Sequence, residues 1–153
     1  MKNYSLLSII IPAYNEEKTI GEILNLVLNS KLSIKKEIFV INDGSKDNTE
    51  EIVKQFIKKN PKVYIKLVNK KNGGKGSAIK KGLELANGQI VIIQDADLEY
   101  DPNDYQECIS PILKNEAKVV YGSRVLEKRN KKYSHLSFLI GGKIITMFTN
   151  LLY

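Results

Sequence analysis

Along this chain short apolar runs alternate with stretches whose apolar positions recur at a period of about 3.6. Residues 6–11 form a short apolar run closed by Pro12, which predicts a buried first strand. From residue 18 to residue 29, Ile20, Ile23, Leu24, Val27 and Leu28 recur at helical spacing. Residues 37–41 predict a second strand that runs into Asn42-Asp43-Gly44-Ser45, a turn by composition. Asp47 and Glu50 fit a capping box, and the helix they open carries Ile52, Val53, Phe56 and Ile57 on one face. Pro61 ends that helix, and residues 63–68 predict a third strand. A glycine-rich turn at residues 72–77 leads into a helix ending near Asn87-Gly88. Residues 90–93 are wholly β-branched and predict a fourth strand buried on both faces. A helix over 103–115 and a fifth strand over 118–123 complete the series.

Strict strand–helix alternation implies parallel strands, right-handed crossovers and helices on both faces of the sheet, an α/β fold. Beyond residue 123 the pattern changes. Residues 124–132 are a basic, polar connector, and Leu136, Leu139, Ile140, Ile144, Phe148 and Leu151 recur at helical spacing. The expected organisation is one domain, with an α/β core over 1–123 and the start of a further region over 124–153. Lys143 would sit in the middle of a span of about 20 residues, so a transmembrane helix fits poorly. An amphipathic helix that packs on a partner or lies on a membrane surface fits better.

Composition narrows the class without choosing a function. The chain has 153 residues, 42% hydrophobic and 27% charged, values typical of one soluble globular domain. Its single cysteine, Cys108, cannot form an internal disulfide; it suits a reducing compartment and a packing role in a helix. No long apolar segment precedes Pro12, so no signal peptide is expected. Net charge is +7, yet residues 1–117 are near balance, with 17 basic and 16 acidic side chains. Residues 118–153 hold seven basic side chains against Glu127 alone. An end of that kind favours phosphate groups, nucleic acid or an acidic membrane. Its charge lies on a linker beside an oily helix without an aromatic-interleaved face, so nucleic acid is not the expected partner.

The fourth strand ends in Gln94, Asp95, Ala96 and Asp97, with Glu99 and Asp101 close behind. In extended chain, residues i and i+2 share a side, so Asp95, Asp97 and Glu99 can converge. Three carboxylates together repel one another unless a cation lies between them. Mg²⁺ or Mn²⁺ suits oxygen ligands, and Mg²⁺ commonly keeps waters and substrate phosphates as well. Ligands of open α/β sheets bind at strand carboxyl ends, which favours a metal–diphosphate site at Asp95 and Asp97. Asp101 and Asp104 are better read as a helix start around Pro102. The glycine cluster fails the P-loop pattern, because Gly74-Lys75 is followed by Gly76, and fails the dinucleotide fingerprint too. It leaves two readings open: Lys75 with backbone N–H groups for an anion, or a plain turn. No Ser/His/Asp or Cys/His set supports nucleophilic hydrolysis, and the one histidine, His135, is expected to face solvent.

Three segments in this order resemble the family 2 glycosyltransferases of the GT-A fold: Pro12-Ala13-Tyr14-Asn15-Glu16-Glu17, then Asn42-Asp43-Gly44-Ser45 through Thr49, then Gln94-Asp95-Ala96-Asp97. Leu98-Glu99-Tyr100-Asp101-Pro102 and Tyr121-Gly122-Ser123-Arg124 are similar to the dolichyl- or polyprenyl-phosphate hexose synthase branch. The resemblance implies a Rossmann-like nucleotide-diphospho-sugar transferase fold. Pro12, Ala13, Tyr14 and Glu16 would line the nucleoside pocket, and Asp43 would contact the base. Asp95 and Ala96 would follow the ribose and diphosphate, and Asp97 would hold the metal with Asp95 and Glu99. Arg124 would face the phosphates. Lys143 stands where relatives carry Arg, keeping the charge without the bidentate fork.

The implied reaction is hexose transfer from a nucleotide-diphosphate sugar (GDP-mannose or UDP-glucose) to a polyprenyl phosphate, with inversion. A phosphate monoester has a second pKa of about 6, so the acceptor needs no protein base near neutral pH. The metal and Arg124 would stabilise the leaving diphosphate. The implied place is the cytoplasmic face of a membrane. A glycan acceptor and a non-catalytic nucleotide-sugar-binding remnant stay open as alternatives. The resemblance also implies further chain after Tyr153, so truncation, self-association or a missing C-terminal partner is expected.

Overall fold

The computed structural model describes residues 4–122. In chain order it has β1 (Leu6–Ala13), α1 (Ile20–Asn29), β2 (Lys35–Asn42), α2 (Thr49–Lys59), β3 (Ile65–Asn69), α3 (Lys75–Leu85), β4 (Ile90–Ile93), a 3-10 turn (Pro102–Asp104) and α4 (Tyr105–Leu113). The strands are parallel in the order β3-β2-β1-β4. A compact unit covers Met1–Val120; a second, Tyr121–Tyr153, lies almost wholly outside the described residues.

Alternation along β1 and β2 sorts their side chains between two cores. Leu7, Ile9, Ile11 and Ala13 of β1, with Ile38 and Val40 of β2, meet Ile20, Ile23, Leu24 and Val27 of α1. Ile10, Phe39 and Ile41 point the other way and pack with Ala78 of α3. Burying one such aliphatic side chain stabilises the fold by about 1.5–3 kcal/mol. Gly82 sets how closely α3 approaches: a Cβ there would overlap the Ile10 side chain. The connection leaving β1 and the connection entering β4 thus lie on opposite faces, and a crevice opens between their carboxyl ends.

Four local expectations need correction. The strand at 90–93 is not buried on both faces: among the described residues it pairs only with β1, and Ile93 is 45% exposed. Residues 118–122 form no strand, and Val119 and Tyr121 are 64% and 89% exposed, because this stretch makes no ladder with β4. The capping box does not close. Asp47 accepts the Thr49 and Glu17 N–H groups, while the Glu50 carboxylate turns to Lys54 and Asn69. The helix expected over 103–115 splits into a 3-10 turn and α4, which ends at Leu113 soon after Pro111. Its start agrees with the sequence, since Asp101 accepts the Asn103 N–H ahead of Pro102. Cys108 lies half-buried in α4; burial, then Asp104 and Glu107, push its thiol pKa up, which suits a packing residue.

Candidate active site

The crevice holds a cavity of about 240 Å³ lined by Pro12, Ala13, Tyr14, Glu16, Asp43, Asn72, Gly74, Lys75, Ala78, Asp95, Ala96 and Asp97. All eight residues expected at the donor are therefore brought together, and Asp97 joins them. Asn72 and Gly74 come from the glycine cluster, and Ala78 was not anticipated. Ala78 lies three residues after Lys75 on α3, a helical spacing that could have revealed it.

The wall formed by the β1–α1 loop is fastened to the β2–α2 loop. Asn15 N–H donates to Ser45 Oγ, and Lys46 N–H to Asn15 Oδ1. Glu16 N–H donates to Thr49 Oγ1, Glu17 N–H to Asp47, and Asn48 N–H to Glu17. Asn15 takes a left-handed conformation, φ 57°, which asparagine tolerates better than most residues. This lacing places Tyr14, 45% exposed, and Glu16 at the rim.

Asp43 lies on the floor, 2% exposed. Its carboxylate receives the Lys70 ammonium, the Gly73 N–H at 3.1 Å to each oxygen, and the Gly74 N–H at 2.7 Å. Burial alone would raise its pKa; the Lys70 and glycine donors outweigh that and hold it below the usual carboxylate range. Gly74 has φ 82°, a conformation open to glycine, and it delivers the first turn of α3 to the cavity. Most of the Asp43 acceptor capacity is thus spent on the glycine turn.

The opposite wall is the turn after β4. Gln94 is 1% exposed, and its Oε1 accepts the Tyr105 hydroxyl at 2.6 Å. Its amide donates to the carbonyls of Asp95 and Tyr100. Burial pushes the Tyr105 pKa far up, so the phenol stays a donor. Gln94 and Tyr105 clamp the acidic turn from beneath, a role that needs residues 11 apart and was missed in the sequence.

The three-acid convergence is corrected here. The extended chain ends at Ile93, residues 96–97 form a turn, and Leu98 adopts φ 64°. The i, i+2 rule holds only in extended chain. Asp95 and Asp97 line the cavity and Glu99 does not; its N–H donates to Asp97 Oδ1. Among the described residues no three acidic, histidine or cysteine side chains gather as a metal cage. Asp95 instead meets Lys75, whose Nζ lies 2.7 Å from Oδ1 and 2.8 Å from Oδ2. That hydrogen bond, reinforced by the charge of Asp95 and of Asp97, raises the Lys75 pKa above the ordinary lysine value. Arg124, Lys143, His135 and the expected amphipathic helix lie outside the described residues.

A glycosyl transferase family 2 model matches residues 8–151. The chain belongs to that family. It is 39% identical to the dolichyl-phosphate beta-glucosyltransferase of Dictyostelium discoideum, over 77% of this chain and 39% of the relative. A dolichyl-phosphate beta-glucosyltransferase, ALG5A, of Trichomonas vaginalis is 34% identical over 87% of this chain and 44% of its own length. The chain therefore spans less than half the length of these two curated relatives. The mannosyltransferase PcManGT of Pyrobaculum calidifontis, solved with GDP-Man and Mn²⁺, is 30% identical, with a TM-score of 0.60 over 67% of this chain and 30% of that one. The parallel sheet is that of the GT-A family 2 fold.

Proposed function

We propose that this chain is the donor-binding part of an inverting hexosyltransferase that acts on a polyprenyl phosphate. The observation that carries the reading is the cavity at the sheet's switch point, where a glycine turn, Lys75 and the Asp95–Asp97 turn face one another. The names of the two dolichyl-phosphate relatives support the lipid acceptor. An acceptor phosphate oxygen attacks the anomeric carbon of the sugar. The carbon–oxygen bond to the donor's β-phosphate breaks as the new bond forms, and the nucleoside diphosphate leaves with the electron pair.

This chain's residues bind and orient. Pro12, Ala13, Tyr14 and Glu16 offer a wall for the nucleoside, and the Gly73–Gly74 turn is held rigid by Asp43. Lys75 supplies a positive charge for the diphosphate. Asp95 and Asp97 fit a Mg²⁺ or Mn²⁺ ion that also takes phosphate oxygens and waters, since two carboxylates on one cavity wall leave other ligand positions for the substrate. Such an ion, when bound, stabilises charge on the leaving diphosphate. Arg124 and Lys143 are assigned to the phosphates as part of the same proposal. Among the described residues no helix is long and apolar enough to cross a membrane. We place the chain peripherally on the cytoplasmic face, where its lipid acceptor would be met.

Thermal unfolding of the full chain with GDP-mannose, UDP-glucose, GDP or UDP, each with and without Mn²⁺, tests the reading. A ligand at about 100 times its Kd stabilises the folded state by roughly 2.7 kcal/mol. One nucleotide should stabilise the chain in a Mn²⁺-dependent way, and Asp97→Ala should abolish it. A folded chain that responds to no donor would sink the proposal.

A further inference from the structure

Lys75 and Asp95 come from opposite walls of the cavity and meet across it. One ammonium faces both oxygens of one carboxylate, at 2.7 and 2.8 Å. The exposures of the two side chains are unequal, 18% for Asp95 and 61% for Lys75. The Asp95 side chain is mostly covered, while the Lys75 side chain lies mostly in solvent. A side chain so exposed can swing away without displacing packed neighbours.

With one partner mostly in solvent, the pair contributes little, about 0.2–1 kcal/mol, and costs little to exchange. Asp97, which accepts the Glu99 N–H, lines the same cavity. Its charge adds to the pull on any cation that enters. A divalent ion cannot use the Asp95 oxygens while an ammonium lies against both of them. A donor diphosphate, conversely, offers the ammonium a better anion than a single carboxylate.

We propose that Lys75 is a resident counter-ion of Asp95, which it gives up to a divalent cation and exchanges for the donor's diphosphate. This rests on the functional reading above and deepens it. Metal and nucleotide binding are then coupled through one side chain: Lys75 opposes the metal in the empty site and favours the nucleotide in the loaded one. Coupling of this kind is reciprocal.

The test is Mn²⁺ binding to the full chain, read from the electron paramagnetic resonance of free Mn²⁺, first alone and then with GDP or UDP. Lys75→Met should tighten Mn²⁺ binding without nucleotide about two- to fivefold, the range expected when an exposed pair is removed. At saturating Mn²⁺ the same variant should weaken GDP or UDP binding by about tenfold, as loss of a charge-assisted hydrogen bond implies. Lys75→Arg should keep the competition. Lys80→Met, an exposed lysine on the same helix outside the cavity, should move neither quantity. Unchanged or weaker Mn²⁺ binding in Lys75→Met overturns the exchange, and so does an equal gain in Lys80→Met, which would mark a net-charge effect. An unmodified chain that binds neither Mn²⁺ nor nucleotide overturns the functional reading and the exchange together.

Discussion

The two ends of the sheet use acidic side chains in opposite ways. At the amino ends of the strands, Glu37 is 5% exposed and fully engaged. Its carboxylate accepts the Ser8 hydroxyl at 2.6 Å, the Asn87 N–H at 2.8 Å, and further bonds from the Asn87 amide and the Gly88 N–H. Burial alone would raise its pKa, but these donors outweigh burial and hold it below the ordinary glutamate value. At the carboxyl ends, Asp95 is answered by one lysine that is itself mostly in water. The first acid joins β1, β2 and the approach to β4. The second makes a single ion pair on the cavity wall. The two carboxylates differ in their donors: two backbone N–H groups and two side chains for Glu37, one largely solvated side chain for Asp95.

Glu37→Ala tests the structural end most severely. It leaves the Ser8, Asn87 and Gly88 donors without their acceptor in a buried place, at a cost of about 3 kcal/mol. Urea unfolding should show that loss, while nucleotide affinity of the folded fraction stays unchanged. The folded-state pKa of Glu37 lies below its unfolded value, so its contribution is complete above the ordinary glutamate range and is lost as pH falls through the folded value. Stability of Glu37→Ala should accordingly vary less with pH on the acid side than that of the parent.

Gly82→Ala should bridge the two ends. Overpacking against Ile10 costs about 1–3 kcal/mol, and lifting α3 also moves Lys75, so stability and nucleotide affinity should fall together. Next in size is Tyr105→Phe. Removing the hydroxyl from buried Gln94 costs about 1 kcal/mol by thermal unfolding. It should also weaken Mn²⁺-dependent nucleotide binding, because the Asp95–Asp97 turn loses its clamp. Asp95→Asn should change stability least, by under about 1 kcal/mol, yet abolish metal-dependent nucleotide binding. A large stability loss in Asp95→Asn would erase the contrast between the two ends.

The alternation of apolar runs with helical spacing made the fold legible, and strand carboxyl ends made the site legible. Pro12 and Ala13 end β1, and Tyr14 to Glu16, Asp43 and Asp95 to Asp97 come just after strands, so a parallel sheet had to bring them together. Glu99 was misplaced because composition does not reveal that Leu98 turns left-handed. The hydrogen-bond partners of Asp43, Gln94 and Lys75 escaped notice for a different reason. Each depends on a partner from another segment, Gly73 and Gly74, Tyr105, and Asp95 respectively, and no local pattern encodes such a meeting. The exposed side of β4 was also invisible, since a β-branched tetrapeptide reads alike at a sheet's centre and its edge.

The contact between Gly82 and Ile10 carries a consequence for how this chain could drift. Any side chain at position 82 must find its volume in the isoleucine opposite. Shortening Ile10 to valine would remove only its Cδ1 and leave the Cγ2 that the new Cβ strikes, so alanine at 82 requires Ile10 cut back to alanine, and the two positions are free to change only as a pair. Substitutions harmless singly elsewhere on α3 would be order-dependent at this one point, with the reach of Lys75 across the cleft as the trait under constraint.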